Sequence, residues 1–335
     1  MHADAELGVG LAAHGPTSVP DAQAESATCA AHSVSDPVTD GAFVLTIVIT
    51  GASGHLGRAV AERLLTDHGV TPGDLVLVTR SPDKLTDVAA RGAQVRQGDF
   101  ADPSSLELAF AGADKALIIS TDVVGTRVAG HRAAIDAAVA AGVRSIAYTS
   151  GINPSDSNPI GVMWEHRQTE EHLRATAPGW TMLRNSVYAE ILLMAAKPAL
   201  ETGTHATNEG DGRVSYVSRE DCAAAAAAVL AGDDHDGKIY DITGAESLTA
   251  AEVTGLFAEL GGRPVQVVHV DDETYAAGLV EHAGMPQPVA EVYASFGTGA
   301  RRGYSAPVSD TVLQLTGRPP TAVRDVLAAA ITSRG

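Results

Sequence analysis

Apolar and polar positions change rhythm along the chain, and the rhythm lays out most of its elements. Phe43 to Thr50 is a short run of β-branched and apolar residues, as in a strand buried on both faces. Leu56, Val60 and Leu64 then recur at helical spacing, which predicts a helix. Leu75 to Thr79 predicts a second strand, with Ser81 placed to cap a short helix after it. Val95 to Gly98 and Lys115 to Ser120 predict a third and a fourth strand. Gly125 to Ala141 reads as an alanine-rich helix closed by Gly142. Ser145 to Thr149 and Trp180 to Arg184 predict strands five and six. Strands alternating with helices imply a parallel sheet, right-handed crossovers and helices on both faces.

Beyond Asn185 the regularity loosens. Ser218-Arg219-Glu220-Asp221 resembles a capping box opening a helix over Cys222 to Ala231. Lys238 to Ile242 predicts another strand, and Thr249-Ala250-Ala251-Glu252 opens a helix that Gly261-Gly262 ends. Val265 to Val270 is strand-like. The rest reads as short helices broken by Gly and Pro, ending in Thr321 to Ile331. The fold class is α/β: a doubly wound parallel sheet of Rossmann type with a smaller C-terminal α+β lobe over its carboxyl edge.

Composition narrows the function. A chain of 335 residues can bury a large core, and a formal charge of −18 excludes a basic stripe for nucleic acid. No apolar run approaches the roughly 20 residues that span a bilayer. Cys29 and Cys222 make neither a disulfide framework nor a cysteine metal site, so a reducing cytoplasm is the expected setting. Residues 1–42 are rich in small residues and lack any Lys or Arg, which predicts a disordered extension without a secretory signal.

Thr50-Gly51-Ala52-Ser53-Gly54-His55-Leu56-Gly57 stands between the first strand and its helix. In a βαβ unit this turn lets the backbone approach a pyrophosphate, toward which the helix points its free N–H groups. The spacing is G-x-x-G-x-x-G, and a dinucleotide is the expected ligand. A site for NAD places an acid at the end of the second strand to hold the ribose. Here that position reads Val78-Thr79-Arg80-Ser81-Pro82, with no acid before Asp83. Arg80 offers a fork of donors for a 2′-phosphate, and Lys84 adds charge, so NADP(H) is the expected cofactor.

Several motifs in order then resemble the NmrA-like atypical short-chain dehydrogenase/reductases, among them flavin-free NADPH:quinone oxidoreductases and triphenylmethane-dye reductases. They are Thr50 to Arg58, Val78-Thr79-Arg80, Arg96-Gln97-Gly98-Asp99-Phe100, Ile146 to Ser150, Glu165 to Glu170, and Leu183 to Glu190. The resemblance implies that Gly51, Ser53, Gly54, His55, Leu56 and Gly57 cradle the pyrophosphate, with Arg80 on the 2′-phosphate. It implies Asp99 and Phe100 beside the adenine, and Ser120 and Thr121 beside the riboses. Tyr148, Thr149 and Ser150 would meet the nicotinamide, with Asn185 and Tyr188 closing that pocket. Residues 43–187 are the expected NADP(H)-binding domain, and residues 188–335 complete the sheet in places and form the substrate lobe.

Short-chain dehydrogenases that act on alcohols donate a proton from the tyrosine of Tyr-x-x-x-Lys, following a serine at the end of strand five. At those distances from Ser150 stand Met163 and Arg167. Alcohol–ketone chemistry loses ground, and hydride transfer to a quinone or similar conjugated aromatic, which demands less acid help, gains it. His166 is the expected proton donor because imidazole titrates near neutrality, with Tyr188 as a second candidate. Gly151, Met163, Trp164 and Tyr188 are the expected substrate residues. Trp164 reads equally well as core, and Ile191 reads as core. A non-catalytic NADP(H) sensor and a tailoring reductase of secondary metabolism are the alternatives. A metal is not expected, and the assembly is expected to be a monomer or homodimer.

Overall fold

The computed structural model describes residues 45–331 other than Asp122 and Val124. The expected N-terminal extension, Cys29, and the start of the first strand at Phe43 and Val44 lie outside the described residues. In chain order the first half runs β1 (Ile47–Ile49), α1 (His55–Thr66), β2 (Leu75–Thr79), α2 (Thr86–Ala89), β3 (Gln94–Gln97), α3 (Pro103–Ala109), β4 (Lys115–Ile118) and α4 (Arg127–Ala140). β5 (Ser145–Gly151), α5 (Gly161–Thr176) and β6 (Trp180–Asn185) follow. Then come α6 (Leu192–Thr202), β7 (Thr204–Thr207), β8 (Arg213–Val214), α7 (Arg219–Ala231), β9 (Lys238–Ile242) and β10 (Leu248–Thr249). The chain ends through α8 (Ala250–Gly261), β11 (Gln266–His269), α9 (Asp272–Ala283), α10 (Gln287–Arg301), α11 (Thr311–Thr316) and α12 (Val323–Ile331).

Seven parallel strands form the main sheet in the order β3-β2-β1-β4-β5-β6-β9, so the direction of winding reverses between β1 and β4. Side chains alternate across this sheet, and both faces are apolar because both are covered. Ile47, Ile49, Leu75, Leu77 and Leu117 meet one helical layer, in which α1 packs on α7. Val48, Val76, Ile118, Tyr148 and Met182 meet the other, built from α3, α4 and α5. The alanines Ala223 to Ala227 are buried against the first layer, where their small side chains let α7 lie close to α1 and the sheet.

The later segments form a lobe with its own cores. Phe257 of α8 centres one with α6 and α12, and α9 with α10 encloses Ala276, Ala290 and Ala294 in another. α10 also reaches the main body, where Val292 and Phe296 pack on Ile160, Val162 and Met163.

Two local expectations need correction. Ser81 gives no side-chain cap; a 3-10 turn, Pro82–Leu85, follows it instead. The C-terminal stretch holds full helices of 12 and 15 residues, not short broken ones. Glycine there serves packing: a Cβ at Gly297 would lie 2.2 Å from Asn208 Oδ1, and one at Gly299 2.5 Å from Ile160 Cγ1.

Candidate functional site

The glycine loop lies at the carboxyl end of β1, beside the reversal point where open α/β sheets bind ligands. Gly51 adopts φ +62°, which a side chain would strain. A Cβ on Gly57 would stand 2.6 Å from the Gly51 carbonyl oxygen and 2.8 Å from Ala52 Cα, so only glycine lets α1 start so close to the turn. Gly54 caps α1 without a side-chain hydrogen bond, and the first turn holds no acid. The N–H groups and positive dipole end of α1 are thus left for an external anion, and the cradle fits a dinucleotide pyrophosphate. Leu56 turns its side chain into the core, leaving its backbone for this purpose, while His55 is exposed.

At the end of β2 the side chains divide their work. Ser53 Oγ and Thr79 Oγ1 share a hydrogen bond of 2.7 Å that ties the loop to β2. Arg58 is committed to Asp87 at 2.6 Å and to the Lys84 carbonyl. Arg80 is exposed and makes no ion pair or side-chain hydrogen bond among the described residues. After β3, Asp99 is held locally: its Oδ1 accepts the Ala101 N–H at 3.0 Å. Phe100 stands edge-on to His131, 6.1 Å between ring centres, and leans on Gly130 of α4.

The segment after β4 is fixed by side chains from four elements. The Ile119 N–H donates to Thr50 Oγ1 (3.0 Å) and the Ser120 N–H to Thr149 Oγ1 (2.8 Å). The Thr121 N–H donates to His131 Nε2 (3.0 Å), and the Gly125 N–H to Glu165 Oε1 (3.2 Å).

Behind this segment lies a buried polar cluster from α4, β5 and α5. An Nη2–H of Arg127 donates to His166 Nε2 (3.0 Å), which leaves the neutral ring's proton on Nδ1, where it donates to Tyr148 Oη at 2.8 Å. His131 accepts at Nε2, so its proton also sits on Nδ1, 3.1 Å from Thr169 Oγ1 and 3.2 Å from Tyr148 Oη. The Thr169 hydroxyl donates to the Glu165 carbonyl at 2.9 Å. Burial, reinforced by the Arg127 charge, pushes His131 down to about 3 and holds His166 well below its ordinary value. Burial raises the Tyr148 phenol.

Two site expectations change here. Tyr148 is fully buried in the layer of α3, α4 and α5 and has no surface to offer a nicotinamide. His166 has both ring nitrogens turned inward, and its depressed pKa removes the reason for naming it a donor near neutrality. Arg127 escaped the sequence reading, in which Glu165 and Thr169 stood only inside a motif, without a role for either. A signal was present: Arg127 and His131, four residues apart, share the inner face of α4 with Ala134, Ile135 and Ala138.

At the ends of β5 and β6 the structure gathers Thr149, Ser150, Gly151, Asn185 and Tyr188, since Gly151 lies in register with Asn185. Asn185 Nδ2 donates to Tyr188 Oη at 3.1 Å, while Asn185 Oδ1 and Ser150 Oγ are buried without a partner among the described residues. Such orphans mark a place for an outside hydrogen-bonding group. Tyr188 carries the Arg219 guanidinium over its ring at 5.1 Å, and burial raises its phenol. Met163 lies over Gly151, where a Cβ would meet its Cε at 2.6 Å. Trp164 is 53% exposed on α5, so it is not core, and Ile191 is half-buried. Arg167, at the absent lysine's place, pairs with Asp156 (2.7 Å) and Glu171 (2.6 Å) and pins the β5–α5 loop to α5.

Comparison with known proteins bears on the family and the fold. The model of an NAD(P)H-binding family matches residues 51–233. Quinone oxidoreductase 2 of Escherichia coli is 37% identical over 279 residues, 83% of this chain and 96% of that protein. The solved NADPH-dependent quinone oxidoreductase from Escherichia coli, complexed with NADPH, superposes with a TM-score of 0.80 at 36% identity, covering 86% of this chain and 99% of that one. Triphenylmethane reductase from Citrobacter sp. superposes with a TM-score of 0.80 at 32% identity, covering 86% of this chain and 100% of that one.

Proposed function

This chain belongs to the NAD(P)H-binding family and is an NAD(P)H-dependent oxidoreductase that uses NADP(H), and from that premise we propose that its hydride acceptor is a quinone or a similar conjugated aromatic. One observation carries the reading: among the described residues, the titratable side chains around the proposed nicotinamide end are not strong acids near neutral pH. Met163 and Arg167 replace the tyrosine–lysine pair, and Arg167 is spent on the β5–α5 loop. His166 and His131 are held neutral, while Tyr148 and Tyr188 keep their protons well above neutrality. NADPH supplies the hydride when bound. A ketone would need a strong acid at its oxygen as hydride arrives, whereas a quinone spreads the arriving charge over its ring and oxygens. The residues proposed to hold the cofactor are Gly51, Ser53, Gly54 and Gly57 at the pyrophosphate, Arg80 and Lys84 at the 2′-phosphate, and Ser120, Thr121, Thr149 and Asn185 at the nicotinamide half. Gly151, Met163 and Tyr188 form the acceptor wall. Relatives named as a quinone oxidoreductase and a triphenylmethane reductase support the class. The buried free thiol of Cys222 suits the reducing cytoplasm we propose as its setting, and among the described residues no helix is long and apolar enough to cross a membrane.

The test is NADPH oxidation with a panel of quinones, triphenylmethane dyes, simple ketones and aldehydes. Turnover of quinones or dyes with none of the ketones is the expected result; ketone turnover at a comparable rate would overturn the reading. With a quinone acceptor, turnover between pH 6 and 9 should be flat, because none of these four groups titrates in that range near the pocket; a bell-shaped profile centred near neutrality would point to a protein acid. Gly151→Ala should push the flexible Met163 end into the acceptor pocket and change the acceptor KM several-fold with NADPH affinity kept.

A further inference from the structure

We infer that His131 is a positioning residue for the cofactor: its Nε2, by accepting the Thr121 N–H, fixes the β4–α4 segment as the wall that faces the glycine loop. The inference rests on the proposed placement of the cofactor along the carboxyl edge. The segment lies against that loop, since a Cβ on Gly51 would meet Ile119 Cβ at 3.5 Å. Its N–H groups are turned inward at Ile119, Ser120, Thr121 and Gly125, each onto a side-chain acceptor from a different element. Three of these acceptors are a hydroxyl or carboxylate oxygen, which accepts in any protonation state the fold allows. His131 alone must hold one tautomer, with a bare Nε2.

The surroundings enforce that tautomer from the opposite side of the ring. Nδ1–H has two oxygen acceptors within reach, Thr169 Oγ1 at 3.1 Å and Tyr148 Oη at 3.2 Å. Thr169 is free to accept because its own proton goes to the Glu165 carbonyl. Tyr148 accepts from His166, whose tautomer Arg127 fixes in turn. The ring protons of both histidines are thus directed at oxygens inside the cluster, and both Nε2 atoms are left as acceptors. Phe100 against one edge of the ring and complete burial stop the imidazole from turning. The consequence is that the backbone at Ser120 and Thr121 is already ordered before the cofactor arrives, and binding does not have to order it.

Three variants test this: His131→Phe, which keeps an aromatic ring and removes the acceptor; His131→Gln, whose Oε1 reaches to the place of Nε2; and Thr169→Val, which takes one of the two acceptors from Nδ1–H with little change of volume. Amide hydrogen exchange over residues 119–125 and NADPH affinity, from the quenching or enhancement of cofactor fluorescence, are read on the same preparations. His131→Phe should speed exchange of that segment about tenfold or more and weaken NADPH about tenfold, with kcat at saturating NADPH reduced far less than the affinity. His131→Gln should restore most of both, and Thr169→Val should fall between, which keeps the test alive if the Phe variant does not fold. Wild-type exchange in His131→Phe, or faster exchange with unchanged NADPH affinity, would overturn the inference, as would a Gln variant no better than Phe. Failure of the wild-type protein to bind NADPH would instead sink the cofactor placement, and the exchange data would still report on the tie itself.

Discussion

Replacing Arg80 with alanine should weaken NADPH by roughly 10- to 150-fold and leave NADH almost untouched, because a charge-assisted contact to phosphate contributes about 1.5–3 kcal/mol. The size of the effect follows from what the arginine does without a ligand. Other arginines of this half of the chain are engaged: Arg58 with Asp87 at 2.6 Å, Arg63 with Asp67 at 3.0 Å, and Arg91 with Glu62 at 2.6 Å. Arg80 has no such partner among the described residues and is exposed at the end of β2. Removing it therefore leaves no carboxylate behind unpaired, and stability should change little. The entire loss should appear in the cofactor that carries the 2′-phosphate. Dissociation constants for both cofactors, measured on wild type and variant, check it. Equal losses for NADPH and NADH would show that Arg80 acts on the adenosine generally, and no loss for either would remove it from the site.

The expectation for Arg80 could be read from the chain because it depends on a local rule: an NAD site places an acid at the end of the second strand, and the strand sets where that residue falls. The same holds for Gly51, Gly54 and Gly57, whose spacing between a strand and an amphipathic helix dictates the turn wherever the rest of the chain goes. The buried cluster was not legible, for a physical reason. Glu165, His166, Thr169 and Glu170 occupy the inward face of α5, so the apolar period that announces a helix is missing there. Their polarity is acceptable only because each finds a partner on another element: Arg127 and His131 from α4, Tyr148 from β5, and Arg184 from β6, which grips Glu170 at 2.8 and 2.7 Å. A local pattern cannot report a bond between residues so far apart in sequence. α6 was hidden differently, since Pro198 lies inside it. His166 was singled out for its ordinary pKa. What decides its chemistry is the Arg127 guanidinium and the loss of water, and neither is visible until α4 and α5 are packed.

The same cluster should make the protein acid-sensitive well above the range where carboxylates titrate. An unfolded histidine takes up a proton near pH 6.5, whereas folded His131 resists until about 3 and His166 resists well below 6.5. Between those values the unfolded state binds more protons than the folded one, so stability is lost as pH falls from 6.5 and is fully present above it. His131 contributes a loss of up to about 1.4 kcal/mol per pH unit over this interval, and His166 adds in the same direction. His205, which burial pushes to about 4, adds in the same direction from the lobe. Glu209 and Asp241 oppose it, because burial raises their carboxyls and the folded state takes up protons there first. Denaturant unfolding at pH 6.5, 5.5 and 4.5 should therefore show a steep loss in the wild type. His131→Gln, with no proton to gain, should lose about 1.4 kcal/mol less per pH unit over the same interval. The comparison isolates one histidine, since the other groups are common to both proteins. Parallel curves for the two would mean that His131 is protonated in the folded state, with its Nε2 no longer free for the Thr121 N–H. A smaller slope in the variant, with NADPH binding kept at pH 7, would show that holding His131 neutral in the core costs the protein acid tolerance.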